Sequence, residues 1–272
     1  MPPYSKAHHC EVDLPEQLKP STPAPEEMAK HALDSLRALA DPKNAEQSRR
    51  YFKPFERVFT LGVKAPALRN LECALWSRIA GRWSVEDATS CCDHLLRTKY
   101  LESKALGVLL LSRYKRLFPK QLISRVEEWL ASGCCDNWAA CDALSTVVIA
   151  PLLARHPELL PRLSRWSRRR SLWLRRAAAV SLTPLCRKGA CLDEAYDIAT
   201  DLLKEHDPLI HKATGWLLRE CGKKDSRRLE SYLLAHGPQI PRTALRYAIE
   251  RFPREKRARL LLRTRGPARK KA

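Results

Sequence analysis

The chain has 272 residues, with 50 Lys plus Arg against 30 Asp plus Glu, a formal net charge of +20 and a sequence pI near 9.8. That length holds one large domain or two small ones, and such a cationic excess points to nucleic acid or another anionic surface as partner. Ten cysteines without a C-x-x-C pair exclude a disulfide framework; Cys73, Cys141, Cys186 and Cys221 read instead as small core fillers. No cationic segment followed by an apolar run marks a secretory signal, and no apolar stretch reads as long enough to span a bilayer, so a cytoplasmic, nucleoid-associated protein is expected.

Residues 1–25 are rich in Pro and Ser without a period and are expected to be a flexible extension. From there on, scarce glycine, abundant Leu and Ala and the lack of period-2 patterning predict an all-α chain. The predicted helices are 26–41, 44–53, 65–80, 84–98, 101–117, 119–132, 136–154, 157–168, 171–187, 191–205, 207–222, 225–236, 241–251 and 255–263. Ser84 and Ser171 are placed to cap helix starts, Pro157 and Pro208 to open helices, and Gly81, Gly133, Gly189, Gly222 and Gly237 to end them. Residues 264–272 form a basic tail expected to be flexible, which leaves 26–263 as the folded domain. Trp138 to Trp173 is 35 positions and Trp173 to Trp216 is 43, an interval that matches the two-helix repeat of HEAT and armadillo solenoids. The expected architecture is a right-handed α-solenoid of HEAT-like two-helix repeats with a concave basic face along which a duplex could lie.

The basic residues are not evenly spread. No acid occurs between Leu159 and Leu192, where Arg162, Arg165, Arg168, Arg169, Arg170, Arg175, Arg176, Arg187 and Lys188 all fall, and both this run and the C-terminal one are expected to track phosphates. The chain has no P-loop, dinucleotide fingerprint, H-E-x-x-H or G-x-S-x-G, and neither H-x-E triplet is followed by P-C-x-x-C. Histidine spacing suggests no metal, and no cofactor is expected.

What remains is a small set of aromatic and charged residues in helical segments. Trp138 and Asp142 are spaced i, i+4 and project from one helix face. An apolar stretch follows Asp142, so the carboxylate is either a structural group paired with an Arg or a reactive one. Arg176 lies in Trp173-Leu174-Arg175-Arg176-Ala177-Ala178, on a helix whose core stripe is expected to be Leu174, Ala178, Leu182 and Leu185. It could pair with Asp142, grip a phosphate, or simply be solvated. Trp216 follows Gly215, which inside a helix costs about 1 kcal/mol relative to Ala and implies the close approach of a helix or a ligand. Either tryptophan could equally be core.

Taken together, Tyr51, the stretch Leu61-Gly62-Val63-Lys64-Ala65-Pro66-Ala67-Leu68-Arg69, Trp138 with Asp142, Trp173 to Ala178, and Lys212-Ala213-Thr214-Gly215-Trp216-Leu217-Leu218-Arg219-Glu220 resemble the AlkD-type DNA alkylation-repair glycosylases over roughly residues 45–250. The resemblance implies a monomer that binds duplex DNA, not membrane, and hydrolyses the N-glycosidic bond of cationic 3-methyladenine or 7-methylguanine without a deep base pocket. It implies Asp142 as catalytic carboxylate, Trp138 and Trp216 as aromatic walls, Arg176 as basic companion and Tyr51 as completing the cleft. Tyr51, Lys64, Arg69, Arg175, Lys212 and Arg219 are the expected DNA contacts. Ala140 and Asn137 depart from the family pattern around Trp138. The alternatives are a solenoid that binds bent or branched DNA without catalysis, and a HEAT-type protein scaffold.

Overall fold

The computed structural model describes residues 22–52, 56 and 58–265. Most of the expected flexible extension and of the basic tail therefore lies outside the described residues. Those described form helices α1 (Pro25–Ala38), α2 (Pro42–Arg49), α3 (Ala65–Ile79), α4 (Val85–Leu96), α5 (Leu101–Ser112), α6 (Leu122–Ala131), α7 (Trp138–Leu144) and α8 (Ala150–Arg155). There follow α9 (Leu160–Trp166), α10 (Leu172–Val180), α11 (Thr183–Lys188), α12 (Leu192–Asp201), α13 (Pro208–Gly222), α14 (Ser226–Ala235), α15 (Arg242–Ala248) and α16 (Arg254–Arg263). No strand occurs among the described residues beyond an isolated bridge between Phe59 and Tyr100. The expected all-α solenoid is the fold.

The helices sort into two layers. On the inner layer α5, α7, α10, α13 and α15 pack side by side in that order. The outer layer carries α9 and α12, which touch each other, and α14 with α16; α9 packs on α10, α12 on α13 and α14 on α13. The apolar periodicity explains the arrangement, since each helix buries one stripe: Met28, Ala32 and Leu36 in α1, and Leu174, Ala177, Ala178 and Val180 in α10. The expected core stripe of Leu174, Ala178, Leu182 and Leu185 is buried throughout. Cys141, Cys186 and Cys221 are buried too, but Cys73 is exposed, because α3 buries the stripe of Glu72, Leu75 and Ile79 and turns the next residue outward.

Local chemistry sets the helix ends. The Ser84 hydroxyl accepts from Asp87 N at 3.1 Å and that of Ser171 from Leu174 N at 3.4 Å, as expected of N-caps. Pro208 opens α13, whereas Pro157 opens a short 3-10 turn before α9. Gly81, Gly133 and Gly189 have positive φ where helices stop. The predicted helix 171–187 is broken by Pro184, whose ring is incompatible with the carbonyl of Val180; the Thr183 hydroxyl donates to that freed oxygen at 2.9 Å.

The segment 136–154 is one continuous rod, Trp138–Arg155, with a π-turn at Ser145–Ile149. Pro151 has no N–H and crowds the carbonyl four residues back, and the widened turn absorbs that conflict. Ala150 N donates to Ser145 O, while the hydroxyls of Ser145 and Thr146 donate to Cys141 O at 2.7 Å and Asp142 O at 2.8 Å. At 18 residues and mean hydropathy 1.3 this rod is long and apolar enough to cross a membrane, contrary to the sequence expectation. Here it is instead an inner-layer helix, half buried in protein, with a carboxylate near its start.

The expected domain boundary at 263 also moves. Thr264 is buried against Gly237 and its hydroxyl accepts from Arg242 at 3.2 Å, so it belongs to the folded body.

Candidate functional site: an aromatic cleft on the inner layer

Four inner-layer elements converge on one open cleft of about 380 Å³. Its walls carry Trp138 and Asp142 from α7, Arg176 from α10, Leu209, Lys212, Trp216 and Arg219 from α13, and Tyr247 from α15, with Tyr51 and Glu56 from the segment after α2. Each position follows from local structure. Asn137 is buried and caps α7: its side-chain oxygen accepts from Ala140 N at 2.9 Å. That cap makes Trp138 the first helical residue and sets Asp142 one turn further on the same face. On α13, Leu209, Lys212, Trp216 and Arg219 form a single i, i+3, i+7, i+10 stripe facing the cleft.

Gly215 explains how Tyr247 arrives. A Cβ there would stand 2.5 Å from Ala244 O and 2.5 Å from Tyr247 Cβ. The expected close approach is therefore helix α15, and it brings Tyr247 beside Trp216.

Tyr51 lies at the mouth of the cleft, just after α2. Beyond it the chain is anchored by buried Glu102, which accepts from Thr60 Oγ1 at 2.5 Å, Leu61 N at 3.0 Å and Gly62 N at 2.8 Å. Gly62 has φ +79°, and a Cβ there would lie 2.1 Å from Asp41 O, so glycine alone suits this turn. Next to Tyr51, the Phe52 ring lies 5.2 Å from that of Trp138, and Tyr51 itself is 82% exposed.

The electrostatic centre is the Asp142–Arg176 pair. Arg176 Nε donates to Asp142 Oδ1 and Nη2 to Oδ2, both at 2.7 Å, while Nη1 donates to Leu209 O at 2.5 Å. All three guanidinium nitrogens are thereby engaged, and the Arg176 side chain is 5% exposed, against 17% for Asp142. Both side chains line the cleft, and the carboxylate is the more exposed of the two. Burial pushes the Asp142 carboxyl above its usual range, an effect that Arg176 opposes without cancelling. Burial would lower the Arg176 guanidinium, but Asp142 more than compensates and holds it charged.

The other expected contacts separate. Lys212 lines the cleft. Arg219 lines it but is ion-paired to Glu250. Lys64 shares with Tyr51 a neighbouring groove that also takes in Asn44 and Arg50, and Arg69 is exposed on α3 outside both. Arg175 is not brought to the cleft: its Nη1 donates to the carbonyls of Arg169 at 2.7 Å and Arg170 at 2.6 Å, and its Nε pairs with Glu205 at 3.1 Å. It fixes the turn before α10.

Sequence reasoning missed Phe52, Glu56 and Tyr247, which lie in segments without a motif. It also missed a second inner-layer groove. Thr146, one turn beyond Asp142 on the same rod, lines a space of about 650 Å³ with Lys115, Arg116, Arg155 and Lys188 above an apolar floor. No acid lines it.

A family model described as DNA alkylation repair enzyme matches residues 32–252, most of the chain. The chain belongs to the DNA alkylation repair enzyme family. A solved structure described as a "predicted DNA alkylation repair enzyme from Enterococcus faecalis" is similar with a TM-score of 0.70, covering 79% of this chain and 97% of that one at 18% identity. At that identity the likeness speaks to the fold. No curated protein matches the chain in sequence. Membership in this family makes DNA the substrate class, and the aromatic, carboxylate-bearing cleft is the family member's candidate reaction centre.

Proposed function

We propose that this protein is a DNA N-glycosylase that releases cationic alkylpurines, such as 3-methyladenine and 7-methylguanine, from duplex DNA. The observation that carries the reading is the Asp142 edge, held by Arg176 and presented between the faces of Trp138, Trp216 and Tyr247. A purine alkylated at N3 or N7 is already positively charged, so its departure needs no general acid. The difficulty is the oxocarbenium-like sugar left behind, and a fixed carboxylate stabilises it. Asp142 also suits the orientation of an attacking water. Aromatic faces attract a cationic base by about 0.5–2 kcal/mol each, according to how far water is excluded. An open cleft fits a lesion engaged at the duplex surface rather than swallowed.

In this reading Arg176 is a positioning residue. It fixes both carboxylate oxygens and donates a third hydrogen bond to Leu209 O of α13, so the reactive edge is rigid before DNA arrives. Lys212 and Tyr51 contact the backbone near the lesion, and the Lys115, Arg116, Arg155 and Lys188 groove supports phosphates further along. Metal is not required for any of these steps. The deciding experiment is release of methylated bases from methylated duplex, measured with wild type and with Asp142→Asn. Tight DNA binding by a wild type that releases no base would favour a non-catalytic reader of damaged or distorted DNA.

A further inference from the structure

The outer layer carries a second cationic groove. Glu127 of α6 and Arg162, Arg165 and Trp166 of α9, with Arg168 and Arg169 just beyond it, enclose about 570 Å³. None of these residues belongs to the cleft, and α9 packs on α10 and α12, which separates the two sites by an inner helix. The run from Arg162 to Lys188 is expected from sequence to track phosphates; the structure puts its first half on the outer layer, away from the cleft.

Two independent features mark the groove as more than a solvated surface. First, its charges are only partly balanced. Glu127 pairs with Arg162 at 3.3 Å and Arg169 at 3.7 Å, and Asp201 pairs with Arg168 at 3.0 Å, while Arg165 and Arg170 are exposed with no acidic partner among the described residues. Ion pairs this exposed are weak, so an incoming anion competes with them readily. Second, Trp166 is 1% exposed and its indole N–H has no hydrogen-bond partner, although such a buried donor usually finds one. The fan of guanidinium forks suits a phosphodiester, whose oxygens accept bidentately from arginine, and the Trp166 N–H beneath it is a spare donor.

We propose that the α6–α9 groove is a second nucleic-acid site, which holds the phosphate backbone of a second DNA segment on the outer layer while the cleft holds the first. DNA is the polyanion at hand, because the family acts on it. The inference does not depend on the chemistry at Asp142 and would survive the failure of glycosylase activity.

The test uses the full chain and a short undamaged duplex. At low salt the wild type should bind two duplexes, and protein held on an immobilised duplex should capture a second, labelled one. Arg165→Glu/Arg169→Glu should bind only one, with the first affinity and the single-turnover rate of base release unchanged. Trp166→Phe keeps the ring and removes the N–H; it should weaken capture several-fold without altering the thermal melt. Should the double variant melt early, Arg165→Ala alone should still weaken capture. A stoichiometry of one in the wild type would overturn the proposal, as would undiminished capture by the variants or an acidic polypeptide that occupies the groove when duplex does not.

Discussion

Asp142 has a structural role in its pair with Arg176 and a proposed chemical one, and separating them is the first experimental task. From sequence, Asn at this position is expected to remove charge without a packing defect. The structure shows otherwise, because Arg176 is buried and relies on both carboxylate oxygens. Breaking a buried pair costs about 3–5 kcal/mol when one charge is left uncompensated, and an amide that keeps one acceptor should cost somewhat less. Asp142→Asn is therefore expected to lower base release about 100-fold or more and to lower the melting temperature as well. Single-turnover rates taken well below the melt separate the effects; a rate close to wild type would remove Asp142 from the chemistry. Acidity gives a second view of the same group. Burial raises the Asp142 carboxyl, and in the proposed reaction the ionised form is the one that stabilises the sugar cation. Activity should thus fall on acidification at a pH above that of an ordinary carboxylate, whose value is about 4. A pH–rate profile on 7-methylguanine that stays flat down to that point would contradict this.

At the scale of elements, the cleft depends on how closely α13 and α15 approach. Gly215→Ala places a methyl where Ala244 O and the Tyr247 Cβ stand, and the conflict involves backbone as well as side chain. Overpacking of this kind costs about 1–3 kcal/mol. The variant should melt earlier and, by pushing Tyr247 away from Trp216, slow base release even where it remains folded. A melt at or above the wild-type temperature would show that the helices can part freely. The π-turn in the Trp138–Arg155 rod works on the other side of the cleft. It lets Pro151 sit inside a continuous helix and leaves the carbonyls of Cys141 and Asp142 bonded to hydroxyls, in the turn that follows Asp142.

Across the whole molecule, charge does two distinct things. Some of it is structural: Glu220 is buried on α13 and accepts from Arg187 of α11 at 2.9 Å and from Lys223 at 2.8 Å. Burial alone would raise its carboxyl, but the hydrogen bonds from Lys223 and Arg187 outweigh it and hold the group below the ordinary range. A depressed carboxyl contributes stability that is present above its unfolded value and is lost as pH falls through the folded one. Glu220→Gln should therefore destabilise the protein near neutrality and lose that penalty in acid, as equilibrium unfolding across pH would show. Other charges line open grooves where a polyanion could meet them. Arg155→Glu/Lys188→Glu, in the groove beyond Thr146, should weaken duplex binding and flatten the dependence of log K on log salt by about 0.9 per lost phosphate contact. An unchanged slope would take that groove off the DNA path.

The sequence by itself determined the helical class, most helix positions and the pairing of Trp138 with Asp142, because these rest on local periodicity, capping residues and proline, which act within a few residues. It also pointed to Gly215 as a place of close approach, since glycine in a helix interior is costly without one. Tertiary structure alone decided what approached. It chose between Asp142 and a phosphate as the partner of Arg176, turned Arg175 into a turn brace, and brought in Tyr247 from α15. It likewise sent Arg162 to Arg169 to the outer layer and Lys188 to the inner one, although both fall in one acid-free run. The physical reason is that a charged side chain carries no periodic signal of its own: which layer it meets is fixed by the apolar stripe on its helix and by the packing of helices far apart in sequence.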